Sequence, residues 1–308
     1  MPSHAGTRPT VVCIGNLTID EAVHGSVRSE PALGGDAAYA ALAARLFVEE
    51  VALLAPLGND LPQRLLSLLR EAGIRVDDLP LRDLPTVRNI VTYHDDGSRT
   101  WDMLSSDEDF DVLSVYPSDV PVSTLAADGI VLSAMSLESQ LALTPWLRKN
   151  SQATLYLDLQ EDYLEGNREA LFSIIAVCDV FMPSEIEATQ LAGTGDLAEA
   201  ARIFQKLGPA TVVIKRAEHG CLVLDGDMLS EVPAETTTPV DSTGAGDAFC
   251  GAFAATHLIT RNAVTAAVNG AMAARIAISS FGIDGIAAAA KAVQHPADVL
   301  SPTKNLTL

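Results

Sequence analysis

The feature that most constrains the fold is a repeated alternation of short, nearly continuous apolar runs with longer segments of helical period. VVCIG (11–15) is a β-branched run ending on glycine, and AAYAALAARLF (37–47) follows with helix formers and an apolar stripe. VALLAPLG (51–58) and LPQRLLSLLREAG (61–73) repeat the pair, with Gly73 stopping the second helix. Further apolar runs lie at 129–135, 154–159, 177–183 and 211–216, and helical segments at 185–192 and 196–207 separate the later ones. Strands that are apolar along their whole length are covered on both faces, as in parallel sheets joined by helical crossovers. The expectation is a doubly wound, mainly parallel sheet between two helical layers, a three-layer α/β/α domain. The Ala-rich stretch from Cys250 to about residue 280 predicts two packed helices.

Two segments break the alternation. NLTIDEAVHGSVRSEP (16–31) reads as strand and turn, and RNIVTYHDDGSRTWDML (88–104) as two strand arms around Asp96-Gly97, a hairpin signal. Together they predict a small antiparallel sheet projecting from the core as a lid. The acidic residues around that hairpin, from Asp95 to Asp111, read as its solvated edge. No repeat or long linker intervenes, so one domain is expected over residues 10–300, with lid segments inserted at about 16–31 and 88–104.

Charge narrows the partners. With 40 acidic and 20 basic residues the formal net charge is −20, which repels nucleic acid and anionic membranes. No window approaches the length of a membrane span, and the first ten residues lack the apolar core of a secretion signal, so a cytoplasmic protein is expected. Cys13, Cys178, Cys221 and Cys250 form no C-x-x-C pair and read as reduced, buried thiols rather than zinc ligands.

The chemistry concentrates in DSTGAGDAFC (241–250), where two glycines stand between two aspartates just before an Ala-rich helix. There is no Walker-type loop. The third glycine of a dinucleotide fingerprint would fall at Phe249, which leaves a nicotinamide dehydrogenase weakly supported. The amides that open a helix have no internal acceptor and carry partial positive charge, and glycines admit a ligand close to them. Such a turn suits charge developing on a transferred phosphoryl group. Asp247 at its mouth fits poorly as a phosphate ligand and well as the base that deprotonates an attacking hydroxyl. In a bare G-x-G-D the aspartate would simply cap the helix. Thr243-Gly244-Ala245-Gly246-Asp247, set before that helix in an α/β chain, favours function.

DSTGAGDAF closely resembles the D-T-x-G-A-G-D signature of the ribokinase-like (phosphofructokinase B) family of carbohydrate and nucleoside kinases. VVCIGNLTID (11–20), ALGGDAAYAALAARL (32–46), PLGNDLP (56–62), PTVRNIVTYHDDGSRT (85–100) and PSEIEATQLAG (183–193) fall in the family's order, so the resemblance spans about residues 10–290. It implies an ATP- and Mg²⁺-dependent kinase of a small sugar, with Asp247 as base and the Gly244, Ala245 and Gly246 amides as anion hole. Thr18, Asp20, Gly34, Gly35, Asp36 and Tyr39 would line the substrate site, although on its own segment Asp36 reads as the cap of the following helix. Ser184, Lys215, Ala217, Gly220, Thr243, Gly244 and Gly246 would flank the nucleotide. Glu187 would hold Mg²⁺ through water, and Asp241 matches the ligand position of a K⁺ ion that often sits behind the anion hole. The family's lids often pair in homodimers, which the resemblance extends to this chain.

Four positions depart from the pattern. Thr18 and Tyr39 stand where the family carries asparagines that contact sugar, Ser184 replaces the asparagine of N-x-x-E, and Ala217 replaces a glycine. A tyrosine at position 39 offers a stacking face or reshapes the pocket. Near the expected site there are few cations beyond Arg28, Arg88 and Arg99, which favours a neutral sugar over a phosphorylated one, with a nucleoside as the alternative. A non-catalytic sugar or nucleotide sensor on the same fold is the rival from another class, favoured by Ser184 and Ala217 and opposed by the intact Asp247 turn.

Overall fold

The computed structural model describes residues 9–94, 99–235 and 237–296. The Asp96-Gly97 turn and the chain after residue 296 lie outside the described residues, as do the side chains of Arg99 and Trp101.

The chain opens with β1 (Thr10–Ile14), passes through β2 (Thr18–His24), β3 (Val27–Arg28) and β4 (Ala32–Gly34), and enters helix α1 (Asp36–Arg45). Strand β5 (Glu50–Leu54), helix α2 (Gln63–Glu71) and strand β6 (Ile74–Arg75) complete one side of the main sheet. The lid strands β7 (Val87–Tyr93) and β8 (Arg99–Met103) follow, then short helices α3 (Asp107–Val112) and α4 (Val122–Leu125). Alternation resumes with β9 (Gly129–Leu132), α5 (Leu137–Asn150), β10 (Thr154–Leu157), α6 (Arg168–Ile175) and β11 (Val180–Phe181). Helices α7 (Glu185–Ala192) and α8 (Leu197–Leu207) lead to β12 (Thr211–Lys215), β13 (Cys221–Asp225) and β14 (Met228–Val232). Helices α9 (Ala245–Thr260), α10 (Ala263–Ala277) and α11 (Asp284–Ala292) end the described chain.

The main sheet runs β14-β13-β12-β11-β10-β9-β1-β5-β6, parallel from β6 to β12 and antiparallel at β13 and β14. Its two faces own separate cores, set by the period of two along each strand. Val11, Cys13, Val51, Leu53, Val131 and Val213 face α1, α2 and α9 to α11. Val12, Ile14, Leu54, Leu132, Leu157 and Ile214 face α5 to α8. The three-layer expectation holds, as does the pair of Ala-rich helices, α9 and α10, which pack on each other. Small side chains allow that close approach: Gly251 is so near α1 that a Cβ there would meet the Ala40 carbonyl oxygen at 1.9 Å.

The lid is a second sheet, ordered β3-β2-β7-β8, with β4 also paired to β2. It corrects the antiparallel expectation in one respect: β2 and β7 pair in parallel, from Thr18↔Val87 to His24↔Tyr93, while the other three pairings are antiparallel. The hairpin signal was local, between β7 and β8, whereas the pairing that joins the two lid segments is set by the long connection between them. Strand order reverses between β1 and β9, which is where ligands settle in doubly wound sheets, outside the carboxyl ends of the strands. All four cysteines are free and buried. Among the described residues no helix is long and apolar enough to cross a membrane.

Candidate active site

A cavity of about 300 Å³ opens where the lid, the start of α1 and the start of α9 converge. Its lining includes Thr18, Asp20, Gly35, Asp36, Tyr39, Thr243, Gly244 and Asp247, all expected from the sequence, and adds Asn89 and Ser242. Among the described residues its lining holds three carboxylates and no lysine or arginine.

Asp20 is fixed before any ligand arrives. Its Oδ1 accepts the Thr18 hydroxyl at 2.7 Å and the Asn89 side-chain amide at 2.9 Å. Asn89 lies opposite Asp20 in the β2–β7 register, so the parallel lid pairing is what brings the donor to the acid. Gly34 makes the room: a Cβ there would lie 1.8 Å from Asp20 Oδ2. Burial raises the Asp20 carboxyl above its usual range, the hydrogen bonds from Thr18 and Asn89 oppose this, and the charge of Asp241 adds to it. Two donors spent on one oxygen leave an oriented acceptor for a substrate hydroxyl.

Asp36 does not cap the helix as its own segment suggested. Gly35 is the N-cap of α1, with φ 99°, and no side chain caps the helix. Asp36 is the first helical residue, and it lines the cavity rather than closing the helix end. Burial pushes its carboxyl well up, followed by the charge of Asp247.

Tyr39 also differs. It is 2% exposed, so neither ring face is open for stacking on a ligand. A Cβ on Gly244 would sit 2.4–2.5 Å from three ring carbons, so Gly244 lies directly on the tyrosine. The large residue at position 39 therefore supports the glycine turn. Gly244 also has φ 72°, the left-handed region that glycine enters without strain. That conformation ends the loop and starts α9, which has no side-chain cap. The opening amides of α9 thus point from the cavity's rim with the positive end of the helix dipole behind them.

Asp247 stands in the first turn of α9, half-buried. Burial pushes its carboxyl up to about 6, the negative charge of Asp158 adds to the rise, and the Lys215 ammonium and the residue's own amide oppose it. Asp241 ties the loop down: Oδ1 accepts the Thr243 amide at 3.0 Å and Oδ2 the Gly282 amide at 3.2 Å.

Of the nucleotide-side candidates, Thr243 and Gly244 belong to the cavity lining, while Ser184, Lys215, Ala217 and Gly220 lie outside it along the neighbouring strand ends. Ser184 and Glu187 form a reciprocal cap on α7, with the Ser184 amide donating to Glu187 Oε2 at 2.7 Å and the Glu187 amide to the serine hydroxyl at 3.2 Å. Burial pushes the Glu187 carboxyl up to about 8, and Asp158 adds to this while Lys215 opposes it. Lys215 ends β12 beside Ser184 and pairs with Asp158 at 2.5 Å. Ala217 and Gly220 occupy the exposed turn between β12 and β13. There Ala217 keeps the positive φ, 47°, that a glycine would adopt freely.

A metal's fit can be judged from these donors. Among the described residues no group of three or more His, Cys, Asp or Glu side chains could hold an ion. Glu187 supplies one buried carboxylate, which suits a Mg²⁺ ion carried on nucleotide phosphates and touched through water rather than caged by protein.

Sequence reading missed Asn89, Ser242 and Asp158. Asp158 carried a signal, since an acid at the carboxyl end of the apolar run TLYLDL lies where α/β sheets place their ligands.

Comparison with known proteins identifies the family and the fold. The profile of the family described as pfkB family carbohydrate kinase matches residues 10–288. A cytidine kinase from Thermococcus kodakarensis is 33% identical over 255 residues, covering 80% of this chain and 87% of that protein. Among solved structures, a putative ribokinase II from E. coli in complex with ATP and Mg²⁺ superposes with TM-score 0.76 at 20% identity, covering 90% of this chain and 95% of the other. A fructokinase variant from Vibrio cholerae O395, bound to fructose, ADP and potassium ion, gives TM-score 0.75 at 20% identity, covering 91% and 96%. With the profile matched along almost its whole folded length, the chain belongs to the pfkB family of carbohydrate kinases.

Proposed function

We propose that this kinase transfers the γ-phosphoryl group of ATP to a hydroxyl of a small neutral sugar. The observation that carries this reading is the cavity itself, where an aspartate on the first turn of α9 shares a pocket with two other carboxylates and, among the described residues, no cation. A phosphorylated sugar would meet repulsion there, whereas a polyol brings the hydroxyl donors that carboxylates accept.

In this reading Asp20, held by Thr18 and Asn89, accepts a substrate hydroxyl and fixes the ring. The acceptor hydroxyl then lies against Asp247. As its oxygen attacks the γ-phosphorus, the O–H proton passes to the Asp247 carboxylate, the new P–O bond forms, and the bond to the ADP oxygen breaks. The amides of Gly244, Ala245 and Gly246 stabilise the charge on the phosphoryl oxygens. Mg²⁺, when bound with ATP, neutralises phosphate charge, and Glu187 is the carboxylate that would hold its water. Ser184, Lys215, Ala217, Gly220 and Thr243 flank the nucleotide along the strand ends. Asp241 holds the loop from behind, where a K⁺ ion would stiffen it further. The lid excludes water from an activated phosphoryl group. The outer lid strand β8 offers a backbone edge for pairing two copies, to be read as a dimer mass in sedimentation.

A second reading, a nucleoside as acceptor, is favoured by one observation, the 33% identity to an archaeal cytidine kinase. The ribose of a nucleoside is itself a neutral polyol and meets the same carboxylates. The test is ATP consumption and phosphorylated product across sugars and nucleosides, with Asp247→Asn as control. Turnover in the wild type and its loss in the variant support the reading. Ligand binding without turnover would point to a sensor and overturn it.

A further inference from the structure

Behind the glycine turn lies an ion pair that the cavity walls do not include. Lys215 ends β12 and Asp158 follows β10, so both stand at the carboxyl edge of the main sheet. Lys215 Nζ is 2.5 Å from Asp158 Oδ2 and 3.5 Å from Cys250 Sγ, and that sulfur is 3.3 Å from the same carboxylate oxygen. The two charged side chains are only 15% and 7% exposed. An ideal Cβ on Gly246 would lie 3.5 Å from Lys215 Nζ, so the ammonium faces the turn of α9 that carries the anion-hole amides and Asp247.

Taking such a pair out of water costs about as much as its attraction returns, and apolar residues of similar volume would hold the fold as well. Stability alone therefore does not account for it. Its surroundings do. Facing Asp247 from α1 are the Asp36 carboxyl and the Tyr39 phenol, from the end of β10 Asp158, and from its own helix the Cys250 thiol. Glu187, on α7, looks onto the pair. In this set Lys215 is the one cation, and every other member is acidic.

We propose that Lys215 and Asp158 are positioning residues of the catalytic turn: Lys215 supplies the fixed positive charge that keeps Asp247 ionised among its acidic neighbours, and Asp158 seats the ammonium beneath Gly246. The inference rests on the kinase reading and deepens it. The pair's two charges act on Asp247 in opposite directions, Asp158 raising its proton affinity and Lys215 lowering it. Burial alone would lower the proton affinity of Lys215, but Asp158, Cys250 and Glu187 outweigh burial and keep it charged.

Opposite signs give the test. Carboxyl-carbon NMR, with the signal assigned from Asp247→Asn, follows Asp247 in the ligand-free protein, so the result does not depend on turnover. Lys215→Met should move the titration midpoint of Asp247 to higher pH by about one unit, and Asp158→Asn should move it lower by a similar amount. The double variant should fall between them, and Lys215→Arg should stay near the wild type. The double variant and Lys215→Arg keep the test readable if a single variant unfolds. In the kinase assay, Lys215→Met should lower kcat about twofold near neutral pH and roughly tenfold well below the wild-type midpoint of about 6, with the acceptor KM little changed. An unmoved midpoint, or one moved the same way by both single variants, overturns the inference. Failure of the kinase reading would appear separately, as wild-type protein that yields no phosphorylated product.

Discussion

Asp247→Asn should make the protein more stable while abolishing turnover. Burial and the Asp158 charge hold the Asp247 carboxyl at about 6 in the folded chain, against an ordinary value of 3.8. A carboxyl whose folded value is raised favours the fold fully below its unfolded value and loses that contribution as pH rises through the folded one. Near neutral pH the wild type therefore carries an ionised, half-buried acid at a cost, at about 1.4 kcal/mol per tenfold change in proton affinity, of about 2–3 kcal/mol. The amide is neutral and nearly isosteric, so it removes the cost. It also relieves Asp36, which the Asp247 charge pushes up. In a chain of this size 2 kcal/mol corresponds to a rise in Tm of about 3 °C. Calorimetry of both proteins near neutral pH and again below 3.8 checks the sign, because the gain should be present in the first condition and absent in the second. A variant that is equally stable or less stable near neutral pH would refute the reasoning, since the base would then not be held against its environment. The expected trade is stability set against function at one site.

Three other outcomes follow from the geometry. The pH profile of kcat/KM should fall on the acid side with a midpoint near 6, as Asp247 takes up its proton, and a midpoint at the ordinary carboxylate value of 3.8 would contradict this. Asn89→Ala should raise the acceptor KM roughly tenfold with little change in the ATP KM, because Asp20 loses the donor that aims it. Ala217→Gly should raise stability by about 1 kcal/mol, measured by denaturant unfolding, because alanine is strained at φ 47°.

The layers of the fold were legible because a parallel sheet buried on both faces writes itself as apolar runs, and Val11 to Ile14 feed both cores in strict alternation. The lid was half legible. Its hairpin has a local signal, but the parallel pairing of β2 with β7 joins segments far apart in sequence, and no short-range rule announces it. The site residues could be listed from motifs, yet their jobs depended on packing. Asp36 looked like a cap until Gly35 took that place. For Tyr39 a stacking face and a reshaped pocket were both open, and the ring lying under Gly244 removes the first. Asn89 and Asp158 were visible only as a polar residue in a strand and an acid at a strand end. Their significance comes from what the fold brings to them, Asp20 in one case and Lys215 in the other.

The most direct test of the central claim is mass detection of the acceptor after incubation with ATP and Mg²⁺ across neutral sugars and nucleosides. The account predicts an acceptor carrying one added phosphoryl group with the wild type and none with Asp247→Asn. Phosphorylated product in equal amount from both proteins, or ATP consumed with no acceptor modified, would contradict it.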